Sequence, residues 1–181
     1  MKEERQAKKL NLKRKWSVLI AVMLVVTMLA GCGAEAQTTF TAPNGTYSIQ
    51  MDESWSAEDM GDEYTLAIFS KDETRGIIVM QFVKDEWEIG DISEVKSAIE
   101  YTYSMNSVAS ADAPASVPGM TNISADTSGM ILEGQSEECY TVYGETDYAY
   151  YSIIYIAKKV TDKRLEKFQA VCGTFAESVS Q

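Results

Sequence analysis

The chain contains no histidine in 181 residues. That absence excludes Ser-His-Asp and Cys-His nucleophilic catalysis, His-based acid–base chemistry and HExxH zinc sites together. Cysteine is scarce: three residues, with no C-x-x-C spacing. A disulfide-dense scaffold and a catalytic dithiol are therefore out. Basic residues become rare past the beginning of the chain. Residues 1–31 hold seven of the 16 Lys/Arg and two of the 27 Asp/Glu, which leaves residues 32–181 with nine basic and 25 acidic side chains, a net charge of −16. Such a segment disfavours nucleic acid, because phosphate binding draws most of its affinity from Lys/Arg clusters. At 45% hydrophobic and 24% charged, the composition is neither disordered nor collagen-like. The length fits one domain with an appendage.

The appendage comes first. Lys2, Arg5, Lys8, Lys9, Lys13, Arg14 and Lys15 precede an uncharged run from Trp16 to Ala30. Those 15 residues fall short of the roughly 20 needed for a permanent transmembrane helix. A basic region, a short apolar stretch and small residues after it make a secretory signal peptide. Its end, Leu29-Ala30-Gly31-Cys32, resembles the lipobox of bacterial lipoproteins: an aliphatic residue, two small ones, then the cysteine that becomes the new N-terminus. The resemblance implies cleavage after Gly31, a diacylglyceryl thioether on Cys32, and contact with membrane lipid through that acylated residue. Two acyl chains anchor stably where one holds only marginally. The expected organisation is a signal peptide over 1–31, a lipidated tether over 32–37 and a folded domain over 38–181, lipid-anchored on the extracytoplasmic face of a cell membrane. A domain of that size can bury about 68–70% of its unfolded surface.

Within the domain, Thr38–Thr41 and Tyr47–Met51 flank the turn signal Pro43-Asn44-Gly45 and predict a hairpin. Tyr64–Phe69 predicts another strand. Ile77–Val83 is apolar on both faces, as a central strand should be. Asp91 and Glu94 form a capping box before Ile92, Val95, Ile99 and Tyr103, which predicts a helix over about 92–107. Residues 107–120, with Pro114 and Pro118, read as a loop. Met130–Leu132 suggests a short strand. Glu138–Tyr143 and Tyr148–Ala157 suggest a third hairpin. A final helix is expected from Asp162 to about Ser178, with Leu165, Phe168, Val171/Cys172, Phe175 and Val179 on its apolar stripe. Hairpins covered by helices make the class α+β.

Tyr47-Ser48-Ile49-Gln50-Met51-Asp52-Glu53-Ser54-Trp55 resembles the early Tyr-x-aliphatic…Pro-x-x-Trp element of PsbP-like and DcrB-like extracytoplasmic proteins, with Asp52 where proline is usual. Gly134, the Tyr151–Ile156 strand and the closing Gly173–Ser178 segment extend the likeness over most of 38–180. The resemblance implies an antiparallel sheet between helices, an α/β/α sandwich. It also implies no enzymatic activity, since that superfamily consists largely of binding and assembly proteins. The photosynthetic role of PsbP does not carry over, because its metal-linked histidines have no counterpart here.

Two acidic groups, around Asp52–Glu63 and Asp85–Asp91, contain carboxylates of the kind that bind calcium or act in glycosidases. They lack the D-x-[DN]-x-[DN]-G pattern of a calcium loop. Solvated loops are the expectation, and no metal or other cofactor is expected. Tyr140, Tyr143, Tyr148 and Tyr150 lie close together on adjacent strands. They serve either as strand packing or, where they face solvent, as a recognition patch. Cys139 and Cys172 can form a disulfide outside the cytoplasm or sit as two buried thiols. No residue is expected to be catalytic. The expected function is a non-catalytic lipoprotein that binds or helps assemble another envelope component, with an envelope protein as partner. Its contact would be a sheet face or the 107–120 segment. The alternative is a small-ligand or cation-binding lipoprotein using the acidic loops or the tyrosines.

Overall fold

Alternation sets the first pairing. In the computed structural model, which describes residues 37–52, 54–132 and 134–178, β1 (Gln37–Thr41) runs antiparallel to β2 (Tyr47–Asp52). Tyr47, Ile49 and Met51 are buried while the residues between them are half-exposed. Gly45 sits at φ 76° in the connecting turn, where a side chain would be strained. Asn44 accepts a hydrogen bond from the Thr46 amide at 3.1 Å there.

The next strands are β3 (Trp55–Glu58), β4 (Thr65–Ser70) and β5 (Arg75–Val83). Helix α1 (Ile92–Thr102) follows, then β6 (Asn106–Ala111), β7 (Thr121–Leu132), β8 (Gln135–Glu145) and β9 (Ala149–Ala157). Helix α2 (Asp162–Cys172) and a two-residue β10 (Ala176–Glu177) close the domain. Seven strands form one antiparallel sheet in the order β3-β4-β5-β9-β8-β7-β6, and β1-β2-β10 form a second. β5 and β9 pair at the centre, and all nine residues of β9 are buried.

The large sheet separates two apolar clusters. On one face Val95 and Ile99 of α1 pack on Ile78, Phe82, Ile154 and Ile156. On the other, the small sheet and α2 bring Tyr47, Ile49, Phe168, Cys172 and Phe175 against Ile77, Val79, Tyr151 and Ile153. The result is the α+β sandwich expected from the sequence.

The α1 start matches the capping box. Asp91 accepts from the Ser93 amide at 2.7 Å, and Glu94 reaches back to the Gly90 amide at 2.8 Å. The helix ends at Thr102 instead of running to 107, because Ser104 turns left-handed at φ 49°. The 107–120 segment is not all loop: its first part is edge strand β6. Met130–Leu132 is the end of a 12-residue strand. The last helix stops at Cys172, not Ser178. Thr174 takes the Gln50 amide at 2.8 Å, which draws the chain onto β2, where Ala176 pairs with Ser48. Val179 and residues 1–36 lie outside the described residues.

Of the two arrangements open to Cys139 and Cys172, the structure holds the pair of buried free thiols. Cys139 belongs to the α1-side cluster and Cys172 to the α2-side cluster, so the sheet stands between two free thiols. No side-chain rotation bridges such a pair.

Candidate binding groove

The β6–β7–β8 edge of the large sheet curls, and backbone irregularities are the cause. Pairing shifts between Asn106 and Ala109 on β6 and between Thr121 and Ser124 on β7. Ser107 and Asn122 take left-handed φ of 53° and 51° at those bulges. Gly129 allows a close approach across β6 and β7: a Cβ there would stand 2.9 Å from Asn106 Oδ1.

The curl and the start of α2 enclose an open groove of about 670 Å³. Asn106, Ser107 and Asp112 form one wall, and Leu165 and Gln169 of α2 form the other. Tyr140 lies in the floor. Its hydroxyl donates to the Asp112 carbonyl, and its ring packs edge-on against Phe168 with centroids 5.8 Å apart. Glu138 accepts from the Val160 amide at 2.7 Å, which closes one end. Asp112, Glu137, Glu138 and Asp162 line the groove, and no lysine or arginine does. The groove thus favours a cationic or neutral polar guest. Alongside it β6 is the outermost strand of its sheet, exposed along nearly its whole length. A free strand edge is a template for an added strand.

The groove lining also includes Cys139. Burial pushes the Cys139 thiol up to about 11, so it is held protonated. The other described thiol, Cys172, is pushed up to about 12 by burial in the opposite cluster.

Of the two roles open to the tyrosines, strand packing fits most of them. Tyr140 is buried on the α2 side of the sheet and Tyr143 and Tyr150 on the α1 side; Tyr148 is half-buried against the α2-side cluster. Two rings are capped by lysines: Lys96 stands 4.8 Å over Tyr143 and Lys84 4.7 Å over Tyr150. The same lysines pair with Asp126 at 3.0 Å and Glu145 at 2.8 Å. The acidic loops are occupied with their own turns. Asp59 accepts from the Gly61 amide, Asp62 from the Tyr64 amide and the Thr65 hydroxyl, and Asp91 caps α1. Among the described residues, no three carboxylates or thiols converge on a point that would hold a metal ion. Cys32 and the Leu29-Ala30-Gly31 motif lie outside the described residues.

The sequence offered a sheet face or the 107–120 segment as contact and Tyr140 as a candidate residue; Ser107, Asp112 and Tyr140 do line the groove, while Asn106 and Gln169 were not singled out. Those two residues carry no periodic signal, whereas Leu165 stood out as part of an apolar stripe.

No family model matches the chain, and no curated protein matches it. Solved structures do. The solution structure of cyanobacterial PsbP (CyanoP) from Synechocystis sp. PCC 6803 aligns over 84% of this chain and 99% of that one, with TM-score 0.51 and 8% identity. A crystal structure of a protein from Bacteroides thetaiotaomicron VPI-5482 aligns over 78% of this chain, with TM-score 0.49 and 12% identity; the chain spans 48% of that protein's length. The fold is PsbP-like.

Proposed function

We propose that this protein is a membrane-anchored extracytoplasmic lipoprotein, without catalytic activity, that binds an extended segment of another envelope protein along β6. The observation that carries the reading is the acidic groove beside a free strand edge. An added strand would gain main-chain hydrogen bonds from the edge, and basic side chains on it would meet Asp112, Glu138 and Asp162. The Leu29–Cys32 motif supports the anchor, and the absence of histidine with thiols held protonated supports a non-catalytic role.

A photocrosslinker at Val108, in cells, tests the contact. It should capture a discrete envelope protein, and the adduct should weaken when Asp112→Lys and Asp162→Lys are introduced together. The same label at Ala57, on the opposite edge strand, should not capture it. An identical adduct pattern from both edges would refute the site. Metabolic labelling with a fatty-acid analogue tests the anchor: Cys32→Ser should abolish the label, and label retained in that variant would refute the lipobox reading.

A further inference from the structure

The end of the domain that receives the tether differs in charge from the opposite end, although both carry exposed apolar side chains, Met60 and Trp87 at the far end among them. Gln37, the first described residue, pairs with Asp52 on β2. Asp52 lines a small cleft with Trp55, Arg75, Tyr155, Arg164 and Lys167. Arg75 in turn pairs with Ala157, and Ala157 with Glu138, which fixes this end across the large sheet. The turn bearing Lys71 and the Lys158–Lys159 connection lie here too, both exposed. Of the nine basic residues in 32–181, only Lys84 and Lys96 sit elsewhere. Carboxylates such as Asp72, Glu138 and Asp162 offset these cations, so this end is near neutral. The far end carries Asp59, Asp62, Glu63, Asp85, Glu86 and Glu145, with only Lys84 to offset them.

The tethered end also carries exposed aliphatic surface. β7 and β8 keep pairing for three residues beyond Glu138, the last β8 residue paired with β9. The overhang projects about 10 Å at the usual strand rise. Its tip holds Ile131 at 60% exposure and Leu132 at 40%, among the most exposed large apolar side chains described.

We infer that this end, with the Ile131–Leu132 tip and the flanking lysines, rests on the headgroup layer of an anionic lipid membrane. The inference builds on the anchor proposed above. Five peptide steps from Cys32 to Gln37 reach at most roughly 18 Å, so lipidation holds this end and no other near the bilayer. The two ends of the large sheet are far apart: the nine residues of β5 span about 30 Å, more than three times the Debye length of about 8 Å at physiological salt. The membrane therefore acts on the near end's charges alone. Lys71, Lys158 and Lys159 meet lipid phosphate, the two aliphatics enter the interface, and the acidic end faces away.

The test uses the full chain, acylated and reconstituted into phosphatidylcholine–phosphatidylglycerol vesicles, with a fluorophore on Gln135→Cys at the tip or Asp59→Cys at the far end. Headgroup spin-labelled lipid should quench the tip probe several-fold more than the far probe. Adding Ile131→Asp, Lys158→Gln and Lys159→Gln should lower the tip quenching several-fold, as should pure phosphatidylcholine at high salt, leaving only the smaller difference that the tether imposes; tip quenching unchanged by the triple change overturns the contact. Equal quenching at the two positions, or no quenching at the tip, overturns the inference. So does a tip probe shielded by a co-purifying protein in place of lipid. Co-flotation at high salt, with and without Cys32→Ser, reports the anchor separately. Selective tip quenching supports the membrane-facing end whichever way that arm falls.

Discussion

The hydroxyl of Tyr151, at the centre of the large sheet, donates to Oε1 of Glu177 on the last strand at 2.7 Å. Glu177 also accepts from Thr146 at 2.8 Å, and Gln81 donates its amide to the Tyr151 oxygen at 2.6 Å. Asn44 and Thr46 complete the chain through the Gln81 carbonyl oxygen, at 2.8 and 2.9 Å. This network joins the two sheets through polar groups where the surroundings are apolar. Burial and the Glu177 carboxylate both raise the Tyr151 hydroxyl well above its ordinary value, which keeps it a donor. Tyr151→Phe leaves the Gln81 amide and one Glu177 lone pair unmet. It should cost about 1–3 kcal/mol, the usual penalty for stranding buried polar partners. Urea unfolding of the two proteins measures it; a loss indistinguishable from zero would mean that water replaces the hydroxyl.

The thiols give a second expectation. Cys139 and Cys172 are pushed up to about 11 and about 12 by burial. At neutral pH neither should react with an alkylating reagent in the native domain, and both should react once it is denatured. Non-reducing and reducing gels should show no mobility difference attributable to an internal bond. Rapid modification of either thiol under native conditions would contradict the packing on its face of the sheet. The sign of linkage follows: with folded values above the unfolded 9.0, the thiols lend stability that is complete below pH 9 and lost as pH rises through about 11 to 12.

Residues that alternate or repeat at helical spacing were readable before any coordinates. Tyr47, Ile49 and Met51 announce β2, and the Asp91 cap announces α1. β6 and most of β7 were not readable. Asn106–Ala111 is exposed on both faces, and Thr121–Gly129 mixes polar residues with small ones, so neither shows the apolar period that marks a strand. Phe175 misled for the opposite reason. It continues the apolar stripe of α2 by spacing, yet reaches the same core after the helix has ended. The groove was illegible because it is built from the unpatterned segments. The separation of Cys139 from Cys172 needed the strand register, which one sequence position can invert.

Phe168 on α2 and Phe175, three residues past its end, test the packing on this side of the large sheet. Phe168 stacks on Tyr155 at 5.3 Å and Phe175 meets Tyr151 edge-on at 5.0 Å, both buried. Truncating either to Ala should cost about 3–5 kcal/mol. Lys163→Ala, at an exposed position on the same helix, should stay within about 0.5 kcal/mol. Chemical denaturation that ranks the lysine change with the phenylalanine changes would place the wrong face of α2 inward.

Acid should weaken the β4–β5 turn only at low pH. Asp72 accepts from the Ser70 hydroxyl at 2.6 Å and from the Thr74 hydroxyl at 2.9 Å, which holds its carboxyl at about 2, below the ordinary 3.8. A depressed folded value means that its contribution is present above 3.8 and lost as pH falls through about 2. Melting temperatures of the native protein and Asp72→Asn should therefore differ at neutral pH and converge in acid. A gap that widens on acidification would reverse the sign.

The far acidic end supplies the last test, since it decides between a solvated surface and a cation site. Asp59 and Asp62 hold their own turns through the Gly61 and Tyr64 amides at 2.8 and 3.0 Å. An amide oxygen can accept those same bonds, so changing Asp59 and Asp62 to Asn and Glu63 to Gln keeps the turns while removing three negative charges. Relief of repulsion in a domain of net charge −16 should leave stability equal or slightly higher, most visibly at low salt, where screening is weakest. Calcium discriminates further. A cation stabilises only a state that binds it, so a true site would raise the native melting temperature and leave that of the neutralised variant unmoved. With the carboxylates aimed at amides and no convergent oxygen cage among the described residues, the expected result is no calcium shift in either protein. A rise of several degrees at sub-millimolar calcium, absent from the variant, would establish a cation site at this end and give the protein a ligand that the groove on β6 does not require.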